Sequence, residues 1–121
     1  MYQDKFASPN DVKKLIMTKN KFTGFLGNLI KMAESGYPVD IDFIMSNLTN
    51  ESSLPMTRYV DFALTQVDNE LGIRQIEYYL FNGTQIQRNY ASLFFNRRGD
   101  WEIVKKAFQQ GLIDEIQAFA R

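Results

Sequence analysis

From Val12 onward the apolar residues of this chain recur at three- and four-residue intervals, and a glycine closes nearly every run. Val12, Leu15, Ile16, Phe22, Leu26, Leu29, Ile30 and Ala33 lead to Gly36, and Met56, Tyr59, Val60, Ala63, Leu64, Val67 and Leu71 lead to Gly72. Ile73, Ile76, Tyr79 and Leu80 then run to Gly83, Ile86, Tyr90, Leu93 and Phe94 to Gly99, and Val104, Ala107 and Phe108 to Gly111. Such spacing lays one face of a helix against a core, and no stretch alternates with the period of two that a half-buried strand requires. An all-α fold is predicted, a compact array of about six or seven helices with stacked antiparallel helical hairpins in the C-terminal half.

Local signals predict where the helices start and stop. Ser8-Pro9-Asn10-Asp11 reads as a helix start, with Ser8 as N-cap, Pro9 at the first helical position and Asp11 in the first turn. A long amphipathic helix is expected from there to Gly36, bent near Gly24 and Gly27. A short helix is expected over residues 39–48, with Asp40 and Asp42 in its first turn and Ile41, Ile44, Met45 and Leu48 facing inward. The polar run TNESSLP is then the longest loop. Each of Gly36, Gly72, Gly83, Gly99 and Gly111 is expected to end a helix in the left-handed conformation.

Sliding the chain along itself until Phe62 lies on Tyr90 lays FALTQVDNELGIRQIEYYLFNG (62–83) over YASLFFNRRGDWEIVKKAFQQG (90–111). That register matches Ala63 to Ala91, Val67 to Phe95, Ile76 to Val104, Leu80 to Phe108 and Gly83 to Gly111. The match is one of pattern and describes two stacked helical hairpins, neither able to bury its apolar face alone. The segment GDWEIVKKAFQQG resembles the second helix of an ankyrin repeat, and QRNYASLFFNRRGD is similar to HEAT-like helical repeats. That resemblance covers roughly residues 83–111 and implies protein binding through a surface of the stack. At 121 residues, 45% of them hydrophobic, the chain holds enough apolar material for one core. One domain over residues 1–121 is expected, with residues 1–50 acting as a cap on hairpins formed by residues 54–121.

The residues the chain lacks narrow its chemistry. It has no cysteine and no histidine, which removes disulfides, thiolate and imidazole metal sites, and the usual nucleophile–base pairs of covalent catalysis. Asp40 with Asp42, and Asp114 with Glu115, are two apart or adjacent and so do not share a helix face; they are read as helix-start electrostatics. Asp61, Asp68 and Glu77 are expected to face solvent. No nucleotide-binding, metal-loop or nucleophile-elbow motif is present. No enzyme activity, metal or cofactor is expected. The start MYQDKFASPNDVKK lacks an apolar export core and no stretch reaches the roughly 20 apolar residues of a membrane span, so a cytoplasmic location away from membranes is expected. The sequons at Asn47, Asn50 and Asn82 and the RGD at 98–100 are then incidental.

Two candidate surfaces remain. The aromatic runs Tyr78–Phe81 and Leu93–Phe95 are too dense for one core stripe, so Tyr78, Phe81 and Phe95, with Trp101, are candidates for binding another protein or a second copy. Arg88, Arg97, Arg98, Lys105 and Lys106 form a basic cluster that is the candidate for the alternative, a regulatory protein associated with nucleic acid. Opposing the alternative are a net charge of zero and the distribution of the charges. Residues 1–37 carry six Lys and three acids, residues 38–80 two Arg and seven acids, and residues 81–121 six cations and four acids. In the stretch FFNRRGDWEIVKKAF, Arg97 and Arg98 are read as helix-ending cations, Asp100 as a cap, and Trp101, Val104 and Phe108 as packing the next helix on its predecessor.

Overall fold

Ser53, Asn69, Thr84 and Asp114 each stand one residue ahead of a helix and accept a hydrogen bond from the backbone N–H three residues on, at 3.2, 2.8, 3.3 and 2.8 Å. Such caps satisfy donors that the first helical turn leaves unpaired. Thr84 makes a full capping box, because the Gln87 side chain returns to accept from the Thr84 N–H at 2.9 Å. The computed structural model describes residues 24–121, and among them seven helices and no strand form. They are α1 (Gly24–Ser35), α2 (Pro38–Ser46), α3 (Leu54–Leu64), α4 (Glu70–Asn82), α5 (Gln85–Arg98), α6 (Trp101–Gln109) and α7 (Glu115–Phe119). The helix start at Ser8, Pro9 and Asp11 lies outside the described residues, as do Val12, Leu15, Ile16 and Phe22.

Hydrogen bonds between elements fix the helix directions. Asn69, at the start of α4, donates to the carbonyl of Ser35 at the end of α1 (2.9 Å), beside the start of α2. Midway along α2, Asp42 accepts from Gln75 and from the Tyr79 hydroxyl of α4, each at 2.7 Å, and at the end of α2 the Met45 carbonyl accepts from Gln87 of α5 at 3.0 Å. Thus α2 and α4 run the same way and α5 returns against them. Asn96 near the end of α5 reaches the carbonyls of Gln117 and Ala118 in α7, so α7 runs with α5. From α2 through α4 and α5 to α7 these directions are those of antiparallel hairpins. Packing joins neighbours along the chain, most extensively α4 with α5, and also every second helix: α1 with α3 and α5 with α7 in one layer and α2 with α4 in the other, with smaller contacts from α3 to α5 and from α4 to α6. Within each layer the helix starts recur at a nearly constant step, Gly24 to Leu54 to Gln85 to Glu115 in the first and Pro38 to Glu70 to Trp101 in the second. Between the layers lies the core, with Leu29, Ile41, Ile44, Val60, Ile76, Leu80, Phe95 and Val104 all buried.

Several expectations are corrected. The register that lays Phe62 on Tyr90 is shorter than the step between helix starts, because it aligns glycines of different kinds. Gly36, Gly99 and Gly111 do take positive φ past helix ends, at 69, 80 and 76°, but Gly83 ends α4 in extended backbone and Gly72 lies inside α4. What Gly72 supplies is a close approach, since a Cβ there would sit 2.7 Å from Val67 Cγ1 and 3.2 Å from the Gly36 Cα. The apolar stripe drawn from Met56 to Leu71 is really two segments, because α3 stops at Leu64 and Asn69 caps a new helix. At Gly24, where a bend is expected, φ is +65°, off the right-handed path, and the described helix α1 starts there, whereas Gly27 lies inside it. Nor are the acids all at the surface. Asp40 accepts from the Ser35 hydroxyl at 2.6 Å, Asp42 ties α2 to α4, and Asp61 pairs with Arg97 at 2.8 Å.

Candidate interaction surface

Successive residues of α6 step by about 100° around its axis. Ile103, Val104 and Ala107 fall on one side and meet the core, Val104 and Ala107 being fully buried. Trp101, Lys105 and Phe108, at i, i+4 and i+7, fall on another side and face away from it. Trp101 is 57% exposed and Phe108 40%, so they do not pack α6 on its predecessor as the apolar spacing implies. Beyond them lies α7, which buries no residue and whose Phe119 is 70% exposed. Between α6 and the segment 118–121 runs a cleft of about 460 Å³, lined by Trp101, Glu102, Lys105, Phe108, Gln109, Ala118, Phe119 and Arg121. The Arg121 guanidinium lies over the Trp101 ring, 5.3 Å from its centre. With three aromatic walls this exposed, the space is an open groove.

The packing of α6 explains why the groove exists. Among the described residues α6 packs on α5, α7 and α4, and Trp101 and Phe108 lie on the side that these helices leave exposed. Of these helices α7, only five residues long, covers little of that side.

The remaining candidates do not converge on the groove. Tyr78 is 53% exposed on α4 and stacks edge-on against Tyr79, with ring centres 5.4 Å apart. Phe81 is half-buried against the core, and with Tyr78, Arg74, Glu77 and Asn82 it borders a separate shallow depression. Phe95 is no surface residue. It is 2% exposed and packs edge-to-face on buried Phe94, because α5 is flanked by α3, α4, α6 and α7 and has core on several sides. Two adjacent aromatics are thus both buried, each against a different neighbour. Phe108, Phe119 and Arg121 were missed as surface residues. Their signal lay in the phase of WEIVKKAF, where Ile103, Val104 and Ala107 already complete one apolar stripe and leave Trp101 and Phe108 off it.

The basic cluster also divides. Arg88 spends its guanidinium inside the fold, donating to the carbonyls of Leu112 (2.6 Å) and Gly83 (2.7 Å) and to the Gln85 side chain (2.9 Å). Arg97 pairs with Asp61, and Arg98 pairs with Asp100 at 3.2 Å while lying over the Phe94 ring. Lys105 and Lys106 are exposed but point about 100° apart. No group of three or more metal-ligating side chains occurs among the described residues, and no described helix is long and apolar enough to cross a membrane. Among the described residues the one clear proton-affinity shift belongs to Tyr79, whose hydroxyl is held well above the usual tyrosine range by burial first, then by its hydrogen bond to the Asp42 carboxylate and that group's negative charge. This is a structural tie between α2 and α4.

Comparison with protein-family models, with curated proteins and with solved structures found no match to this chain.

Proposed function

We propose that this protein is a cytoplasmic, non-catalytic interaction module built of helical-hairpin repeats, which binds another protein or a second copy of itself through the aromatic groove between α6 and α7. The observation that carries the reading is the exposure of Trp101, Phe108 and Phe119 together along that groove. Clustered exposed aromatics mark interfaces, and Trp is prominent among residues that dominate binding energy. The likeness of residues 83–111 to ankyrin and HEAT-like repeats supports the same reading, since those folds serve as binding surfaces. Support for the nucleic-acid alternative is weaker, because Arg88, Arg97 and Arg98 are already engaged within the chain.

Affinity capture with mass spectrometry, run in parallel on the full chain and on a Trp101→Ala/Phe119→Ala variant, tests the proposal. A partner retained by the first and lost by the second is expected. Salt-sensitive DNA or RNA binding that collapses when Arg97, Arg98, Lys105 and Lys106 become Ala would overturn it in favour of the alternative.

A further inference from the structure

Resting on that reading, we infer that the groove's occupant is a second copy of this chain, docked about a two-fold axis with α6 antiparallel to its counterpart. The exposed face of α6 is self-complementary end to end. Trp101 and Glu102 occupy its first turn, Lys105 and Phe108 lie one and two turns further on, and reversing the helix lays Trp101 against Phe108 and brings Glu102 towards Lys105. Neither Glu102 nor Lys105 has an ion-pair partner within the described chain, although they stand three residues apart on one helix. Both charges are therefore free to pair across an interface. An isologous contact requires one patch that complements itself, and two-fold dimers are the commonest closed assemblies. Docking along α6 also places a helix of the partner over the exposed side of α6 that carries Trp101 and Phe108.

Sedimentation velocity across submicromolar to millimolar concentrations, with Trp101 fluorescence recorded in parallel, tests the inference on the full chain. Trp101 is the single tryptophan, so its emission reports the groove alone. A monomer–dimer equilibrium that stops at two, with Trp101 emission shifting to the blue on association, is expected. Glu102→Lys and Lys105→Glu, each alone, set like charges face to face and should weaken the dimer at least about tenfold. The double exchange restores the pairing and should recover most of that loss. These surface changes leave the core intact, and circular dichroism checks each variant. Growth beyond two with concentration, or a double exchange no better than the single ones, overturns the two-fold arrangement. A chain that stays monomeric overturns the second copy as occupant, and groove-dependent capture of a different protein would then leave the proposed function standing. Association that survives Trp101→Ala/Phe119→Ala, or that leaves the emission of Trp101 in the native chain unmoved, overturns the groove as the contact between copies.

Discussion

Gly72 illustrates how one side chain's absence is set by packing. Alanine normally exceeds glycine in a helix by about 1 kcal/mol, but here the added methyl meets the stiff, buried Val67 at 2.7 Å and the Gly36 backbone at 3.2 Å. Overpacking outweighs propensity, and Gly72→Ala should lower stability by about 1–3 kcal/mol in urea denaturation. Tyr79 makes a second prediction. Its pKa is raised in the fold, so its contribution is complete below the unfolded value near 10 and is lost as pH rises above that. Stability of the native chain should therefore fall more steeply with pH above about 10 than that of Tyr79→Phe, measured by thermal melts at successive pH values. In sequence neither role was readable. Gly72 follows an apolar run just as Gly36 does, Asp42 looks like any first-turn acid, and Arg88 looks as free as Lys105; only partners distant in the chain tell them apart.

Helix α7 is held differently from the others. It fully buries no side chain; Ala118 packs partly against the core, and the polar tie to the body is Asn96, whose amide donates to the Gln117 and Ala118 carbonyls at 3.2 and 3.1 Å. The Asn96 side-chain oxygen, by contrast, is buried without a protein partner. Asn96→Ala should therefore loosen α7 selectively: amide exchange over residues 115–119 should speed up well before that of α4 or α5, with a global cost of about 1–2 kcal/mol. Uniform acceleration would contradict it. Helix ends were only partly readable from capping residues: Asp114 does cap α7, but Ser53, Asn69 and Thr84 went unread as caps, and Asp100, expected to cap α6, makes no cap hydrogen bond and pairs with Arg98 instead. The rotation of α6 was harder, because Trp101 and Phe108 are as apolar as the residues that do face the core, and burial depends on which neighbour is present.

Taken whole, the molecule is two layers of helices, and this part of the fold was largely contained in the apolar spacing. What the spacing did not contain was the true step from one hairpin to the next: Leu54 to Gln85, and Glu70 to Trp101, are both longer than Phe62 to Tyr90. The difference arises at the connections. Residues 65–69 separate α3 from α4, whereas Gly99 and Asp100 alone separate α5 from α6. Turns of unequal length shift equivalent glycines, so a glycine-based alignment drifts while the helices keep their stacking.

Packing that reaches mainly one or two helices along the chain also sets how quickly the native state is found. Each contact closes a short loop, and chains dominated by short-range closure fold in microseconds to milliseconds, whereas sheet proteins of similar size take up to seconds. Stopped-flow refolding from urea should accordingly finish within the first tens of milliseconds. Followed through Trp101, that experiment would register little of the collapse and mostly the last edge settling into place, so far-ultraviolet ellipticity is the signal that would time the event.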